Sequence, residues 1–560
     1  MSAIDLRRTQ LQQQIDQRIH ELCNVNAHRN SLQLVARLPT ELWANIFLEL
    51  AALSSPCDPS DHAGRNPYSW IPCVTHVFRQ WREIALATPQ LWTDIYMKTT
   101  VSLERVQAFL DRSKHSLLRI DAHMRAYENN LVWMGTLRSV VQQIARAETL
   151  TMTPYFSPDW LAADFPRLAP HLRTLTILHP PEVILGPDQP HPLFEFFQKC
   201  TTPNLTTLVL NGYNLHISMK GLLPPSLTSL TVDNHERRIP FSHFMMVIAD
   251  LPELRVLKLA GTTEAPRNTT FLSPIGTERV DFPRMEILSL SENIFPGFQF
   301  LDKCTFPSSV RITLSLSRRW SQILSHQMAL LASPLSRHLD AIFGNTTRGS
   351  ETLSLSPREI CFLERIKEPL VRLSLPGSFD CIVAIVLLRL PLHYFTTLEL
   401  SGLSKDNKPL FSESTITRVL TAMPNVKTLV FRDRCIGALA IALLSPQEQT
   451  VEAPLTGPPF LIPGLRTVVL QDMCVSGLEH PWVDDPQDPF IASLCGIIRH
   501  RRETVGVSAI KKLVFKKCIF LDSTDSHFKA LKEEVQVSGV ASCFLFGILN
   551  MITKSHYISI

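Results

Sequence analysis

Pro252-Glu253-Leu254-Arg255-Val256-Leu257-Lys258-Leu259 is one copy of a phrase to which the chain keeps returning. A proline or another turn residue comes first, and apolar residues follow at relative positions 0, +3 and +5. Leu172-Leu175-Ile177, Leu205-Leu208-Leu210, Leu227-Leu230-Val232 and Met285-Leu288-Leu290 repeat it. So do Leu370-Leu373-Leu375, Phe395-Leu398-Leu400, Val426-Leu429-Phe431, Leu465-Val468-Leu470 and Ile510-Leu513-Phe515. The last two apolar residues alternate with polar ones, the pattern of one short half-buried strand. Except between Met285 and Leu370, successive copies start roughly 22 to 45 residues apart, the spacing of stacked repeats that bury a shared core. Phe241 to Ala249 and Ile382 to Leu390 are apolar enough to return as helices over the outer face. Val310 to Leu355 fits worst: Val310 to Leu316 alternates, but the phrase is shifted, so an atypical repeat or an insertion is expected there.

This phrase resembles the leucine-rich repeat, in its irregular form. The resemblance implies an α/β fold in which short strands pair in parallel, one per repeat. It also implies a buried Asn or Cys after the strand that satisfies backbone groups. Asn293 and Cys518 fit that place, Asn214, Cys435 and Cys474 fall one residue late, and other copies have neither. Uneven curvature follows from that patchy ladder.

A different pattern precedes the repeats. Leu38-Pro39-Thr40-Glu41-Leu42-Trp43-Ala44-Asn45-Ile46-Phe47-Leu48-Glu49-Leu50 opens on a proline suited to a helix start. Leu42, Ile46 and Leu50 then recur every fourth residue, with Phe47 widening the stripe. Val74, Val77, Trp81 and Ile84 make a second stripe, which Thr88-Pro89 stops before Leu91 and Trp92. Between the stripes, Ser54 to Trp70 carries Pro56, Pro59, Gly64 and Pro67 and reads as a loop. A module this small cannot bury all of these side chains internally, and the surplus apolar surface points to a partner.

These residues resemble an F-box, the helical module that docks a protein onto the adaptor of a cullin ubiquitin ligase. The Leu-Pro-x-Glu-Leu opening, the Ile-Phe pair and Val-x-x-Val-x-Arg-x-Trp-Arg occur in order, and Pro89-x-Leu91-Trp92 matches an ending seen in fungal members. Phe78 departs from the pattern, standing where a small Cys is more usual, and the insert separates the halves. The resemblance nominates Leu38, Pro39, Leu42, Ile46, Phe47, Val74, Val77, Trp81, Leu91 and Trp92 as adaptor-binding residues. It implies a Skp-type adaptor and a cullin ligase core as partners, with a target protein held by the repeats. The implied function is substrate recognition within an SCF-type E3 ligase in cytoplasm or nucleus. The alternative is a non-catalytic repeat scaffold whose F-box-like module serves a non-degradative assembly.

Composition narrows the rest. A chain of 560 residues with 45% hydrophobic and 19% charged residues is globular, and too long for one compact domain unless it is built of repeats. The net charge of +4 argues against a chain-wide nucleic-acid surface. Forty prolines against 20 glycines indicate stiff punctuation rather than flexible linkers. The 12 cysteines form no C-x-x-C pair, so neither a zinc site nor a disulfide framework is expected. Met1 to Gln14 has no apolar core of a signal peptide, so the sequons at Asn204, Asn268 and Asn345 read as chance. Val537 to Ile552 is apolar but shorter than the roughly 18–20 residues that span a bilayer, so it reads as a buried terminal helix and no membrane is expected. No G-x-S-x-G, P-loop, G-x-G-x-x-G or H-E-x-x-H occurs, and His235-Glu236 lacks its second histidine. No enzyme, cofactor, catalytic residue or metal site is expected.

The domains read from this are an N-terminal helix at 1–33 and an F-box-like module with its insert at 34–95. A helical linker or N-terminal cap at 96–148 leads into an irregular repeat array at 149–522, and a tail or cap occupies 523–560. Leu11, Ile15, Ile19 and Leu22 mark an apolar edge on the first helix, which suits a short coiled coil or, more plainly, packing against the module. Within each strand, +3 and +5 pointing inward turns +2, +4 and +6 outward across one wall. That wall carries Thr207, Val209 and Asn211 early, then Ser229, Thr231 and Asp233. Late in the chain it carries Val430 and Arg432, Val469, then Lys512, Val514 and Lys516, flanked by Arg434, Arg466, Lys511 and Lys517. These late residues are the candidate substrate-binding set, suited to an acidic segment with an apolar anchor.

Overall fold

The computed structural model describes residues 3–33, 37–54, 66–97, 102–122, 131–153, 166–178, 192–213, 215–234, 238–264, 279–292, 294–316, 325–344, 351–356, 359–363, 370–374, 387, 390–401, 413–432, 443–446, 460–471, 490–516, 518 and 526–538. Two compact units divide the chain, Met1–Val232 and Asp233–Ile560. Most of the loop between the two N-terminal stripes lies outside the described residues, as do Asn214, Asn293, Cys435, Cys474 and all but the first two residues of the apolar tail. Among the described residues no helix is long and apolar enough to cross a membrane.

The first unit opens with α1 (Ala3–Ser31). Its Leu11, Ile15, Ile19 and Leu22 are exposed, so α1 does not pack on the module as its apolar edge led us to expect. The module is three packed helices, α2 (Thr40–Ser54), α3 (Trp70–Thr75) and α4 (Arg79–Ala87), followed by a 3-10 turn at Pro89–Trp92. The second stripe is therefore two helices rather than one, broken where Phe78 turns extended at φ −146°. The strands start sooner than the phrase indicates. β1 (Asp94–Met97) pairs in parallel with β2 (Leu118–Ala122), and β2 pairs with β3 (Ala147–Met152). The stretch 96–148, read as a helical linker, thus holds α5 (Leu103–Ser113) and α6 (Leu131–Val141) as returns between strands. Leu118 and Ile120 are buried as the repeat phrase requires, but no proline turn announces them. β4 (Thr174–Leu178), β5 (Thr207–Asn211) and β6 (Ser229–Asp233) continue the parallel order, with α7 (Pro192–Lys199) before β5.

The step from repeat to repeat recurs in most copies of the phrase. Residues −3 to 0 form a tight turn: Leu254 N–H bonds Leu251 O, Met285 bonds Phe282, Val426 bonds Met423 and Leu465 bonds Ile462. Proline sits at −2 in each of these turns (Pro252, Pro283, Pro424, Pro463), where its fixed φ suits the second place of a β-turn. Leu251, Phe282, Met423 and Ile462 are buried, so the motif begins three residues before the leucine at 0. Two successive amides, at +1 and +2, then donate to one carbonyl at +1 of the preceding repeat. Thr206 and Thr207 bond Arg173 O, Glu286 and Ile287 bond Arg255 O, and Lys511 and Lys512 bond Arg466 O. This bulge-like step sets which later residues face the core. Side chains at −1 add a second link: Asn204 Nδ2 donates to Pro170 O and Asn425 Nδ2 to His393 O, both at 2.7 Å.

In the second unit α8 (Phe241–Ile248) supplies the helical return expected there. A short strand β7 (Ile239–Pro240) precedes it, β8 (Val256–Ala260) follows, and β9 (Thr263–Glu264) pairs with β7. β10 (Val280–Asp281), β11 (Ile287–Glu292), α9 (Ile294–Lys303), β12 (Cys304–Thr305), β13 (Arg311–Leu316) and α10 (Ser325–Phe343) come next. β8, β11 and β13 run parallel. At β13 the phrase loses one residue: Val310, Ile312 and Leu314 are buried, and Arg311 alone donates to Glu286 O. The atypical stretch is an inserted meander. β14 (Thr352–Leu355), β15 (Glu359–Leu363) and β16 (Val371–Ser374) pair antiparallel to one another in turn. β16 comes back beside β13, and β14 receives β17 (Thr397–Ser401) in parallel. From there α11 (Glu413–Thr421), β18 (Thr428–Arg432), β19 (Thr467–Gln471), α12 (Phe490–Glu503), β20 (Lys512–Lys516), α13 (Ser526–Glu534) and β21 (Gln536–Ser538) complete it. Buried Cys518 Sγ lies 3.2 Å from Leu470 O, the role its place in the phrase implied. Buried Arg501 on α12 donates to Ile462 O at 2.7 Å and lies over the Phe460 ring, and burial lowers its pKa to about 10.

Leu429, fully buried in β18, is bounded by paired strands on both sides and has little room to relax. Leu429→Ala should cost the second unit about 2–5 kcal/mol in a urea titration.

Candidate protein-docking surfaces

The N-terminal module divides its nominated residues into a core and an edge. Trp43 and Phe47, one helical turn apart on α2, face inward and meet Trp81 of α4. Ring centroids lie 5.6 Å apart for Trp43 and Phe47, 4.6 Å for Trp43 and Trp81, and 5.8 Å for Phe47 and Trp81. Val74, Leu91 and Trp92 are also buried. Trp92 Nε1 donates to Ala85 O at 2.8 Å, its ring packs 5.4 Å from Trp70 and 5.1 Å from Phe109, and the Arg112 guanidinium lies over it at 4.4 Å. Phe47, Val74, Trp81, Leu91 and Trp92 therefore build the module and hold it to α5.

The remaining nominated residues point to solvent. Leu38 is 37% exposed, Leu42 48%, Ile46 47% and Val77 60%, with Pro39 also exposed. Leu42 and Ile46 occupy the same turn spacing as Trp43 and Phe47 but one residue earlier, which rotates them to the outer side of α2. Leu53, seven residues after Ile46, extends this edge, and its spacing was legible in the sequence although it was not singled out. The result is an apolar row on a helix whose opposite side is locked by aromatic packing.

A cavity of about 500 Å³ lies where α2 and α3 meet β1 and β2, lined by residues including Leu48, Tyr68, Trp70 and Asp94. Tyr96 N–H donates to Tyr68 Oη at 2.7 Å, and burial pushes the Tyr68 phenol far above its ordinary range. Burial also raises the Asp94 carboxyl, which Arg119 opposes. The polar groups there serve one another within a packing seam.

The late strands of the second unit bring their nominated residues into rows. Val430, Val469 and Val514 pair across β18, β19 and β20, as do Arg432, Gln471 and Lys516, and Thr428, Thr467 and Lys512. Val469 is buried, Val430 and Val514 are half-buried, and Lys512 and Lys516 are exposed. Arg432 is engaged: its Nε lies 3.0 Å from Glu399 Oε1 on β17, and Ser354 Oγ donates to the same carboxylate oxygen at 3.3 Å. Arg466 and Lys511 are exposed, and Arg434 and Lys517 lie outside the described residues. Lys427, exposed at the same +1 place as Arg466 and Lys511, was not singled out from the sequence, although its position in the phrase identifies it.

Parallel strands, one per repeat, entered by a buried turn and followed in most repeats by a helical return, make this a leucine-rich-repeat fold. No protein-family model matches the chain, and no curated protein matches it. Among solved structures, an internalin from Listeria monocytogenes is similar over 81% of this chain and 89% of its own, at 10% identity and a TM-score of 0.22. The leucine-rich repeat-containing protein LegL7 from Legionella pneumophila is similar over 72% and 97%, at 14% identity and a TM-score of 0.27. A leucine-rich-repeat protein of Leptospira interrogans covers 81% of this chain and 97% of its own, at 11% identity and a TM-score of 0.28.

The two sides of α2 should respond differently to substitution. Phe47→Ala removes a buried ring and should destabilise the first unit by about 3–5 kcal/mol. Leu42→Ser with Ile46→Ser should leave stability within about 0.5 kcal/mol per site, because both side chains already face water. Thermal melts of the three proteins check the contrast.

Proposed function

We propose that this chain is the substrate-recognition subunit of a cullin-based ubiquitin ligase, docking through its N-terminal module and holding target proteins on its repeats. The observation that carries this reading is the exposed row of Leu38, Leu42, Ile46 and Val77 on a module whose Trp43, Phe47, Trp70, Val74, Leu91 and Trp92 are buried. It coincides with the Leu-Pro-x-Glu-Leu and Val-x-x-Val positions through which the module resembles an F-box. Covering the exposed half of a Leu or Ile side chain is worth about 1 kcal/mol, so this row supplies several kcal/mol to a partner of matching shape. Its partner is a Skp-type adaptor joined to a cullin. The chain performs no bond chemistry in this arrangement. It raises the effective concentration of a target near a ubiquitin-loaded enzyme held elsewhere in the complex.

The test is reconstitution with purified adaptor and cullin. The wild-type chain should form a stable complex with them, and Leu42→Ser with Ile46→Ser should weaken it roughly tenfold or more while the protein stays folded. A wild-type chain that never binds the adaptor would favour a repeat scaffold serving another assembly.

A further inference from the structure

Within a run of parallel strands the +1 residues form a row, because each donates its amide to the +1 carbonyl of the strand before it. In the first unit the row includes Glu148 and Arg173, whose side chains lie 3.9 Å apart. In the second unit it begins Arg255, Glu286 and Arg311, alternating in sign, with Arg255 Nη1 3.1 Å from Glu286 Oε1. Neighbouring rungs lie about 4.8 Å apart, so opposite charges there attract and like charges repel.

The run that follows the meander reads Glu351, Thr396, Lys427, Arg466 and Lys511, so its last three rungs are all cationic. Lys427, Arg466 and Lys511 follow one another, linked by Arg466 N–H to Lys427 O and Lys511 N–H to Arg466 O, both at 2.8 Å. All three are exposed, and among the described residues none has an ion-pair partner. Lys512 and Lys516, on the last of these strands, add two further exposed cations without an ion-pair partner among the described residues. Arg432 differs in having Glu399 beside it. Three stacked cations disfavour the strand pairing that holds them, unless an anion offsets their repulsion. Beside them runs the row of Val430, Val469 and Val514, roughly 10 Å long across three strands.

We propose that this face, on β18 to β20, binds an extended acidic peptide segment. An aliphatic side chain of the segment lies on the valine row, and its Asp or Glu side chains meet Lys427, Arg466 and Lys511. A protein segment is favoured over single-stranded nucleic acid because the outward positions carry Thr, Val, Arg, Gln and Lys, with no aromatic ring on which a base stacks. The assignment rests on the reading of the repeats as a target-binding array and names the class of target.

The full-length chain, panned against a phage-displayed library of random dodecapeptides, tests it. Enriched peptides should combine Asp or Glu with an aliphatic residue. A fluorescein-labelled synthetic copy of the best one should bind at least tenfold more weakly to the Lys427→Glu, Arg466→Glu, Lys511→Glu variant. Its affinity should also fall as salt rises. Enrichment of basic or neutral peptides, no enrichment, affinity unchanged by the charge reversal, or tighter binding of oligothymidylate would overturn the proposal. Adaptor binding, measured on the same two proteins, separates the readings. Peptide capture without adaptor association sinks the ligase assignment alone, and adaptor association without acidic-peptide capture sinks this one alone.

Discussion

Two amides meeting one carbonyl is the contact on which most of this architecture rests. Where residues +1 and +2 both donate to the +1 carbonyl of the preceding repeat, the following strand has no choice of register. A one-residue slip would turn every buried leucine to water. The contact explains why returns of very different length are tolerated. It also separates two kinds of position. Residues +3 and +5 are core and must be apolar, while +1, +2, +4 and +6 are free to carry whatever the outer face needs. Where the +1 step is shortened, as at Val310, the chain stops adding strands in order and folds a meander back beside β13 before resuming.

The N-terminal module is built on the opposite logic. It has no repeated neighbour to complete its core, so it uses large rings instead. Trp43, Phe47 and Trp81 close on one another, and Trp92 is wedged between Trp70 and Phe109. Aromatic packing of this kind makes a small helical unit rigid, and a rigid helix can present an apolar row without collapsing over it. Exposed Leu42 and Ile46 are thus consistent with a stable module, and their exposure is the feature that a monomeric role leaves unexplained.

Much of this was legible in the residues. The 0, +3, +5 phrase located the parallel strands because alternation and proline turns are local properties. The apolar content of Phe241–Ile248 likewise located α8. β2 was missed because no proline turn introduces it, β1 because the Pro89–Trp92 turn before it read as the end of the helical module, and the meander was recognised only as a misfit because antiparallel and parallel strands share one alternation. The division of the module into core and edge was not legible, since Phe47 and Ile46 are adjacent and equally apolar; only the packing of Trp81 decides which of them turns inward. Arg432 looked like a free cation because Glu399, its neighbour on the next strand, lies more than thirty residues earlier in the chain. The stacked cations at +1 became visible once backbone hydrogen bonds aligned residues far apart in sequence.

The central claim is that the outer side of α2 is made to be covered by another protein. Amide hydrogen exchange of the full chain, alone and with a purified Skp-type adaptor bound to cullin, tests it directly. The account predicts added protection concentrated in residues 38–54 and around Val77, with the late strands unchanged. Unaltered exchange across the module, or protection confined to the repeats, would contradict it.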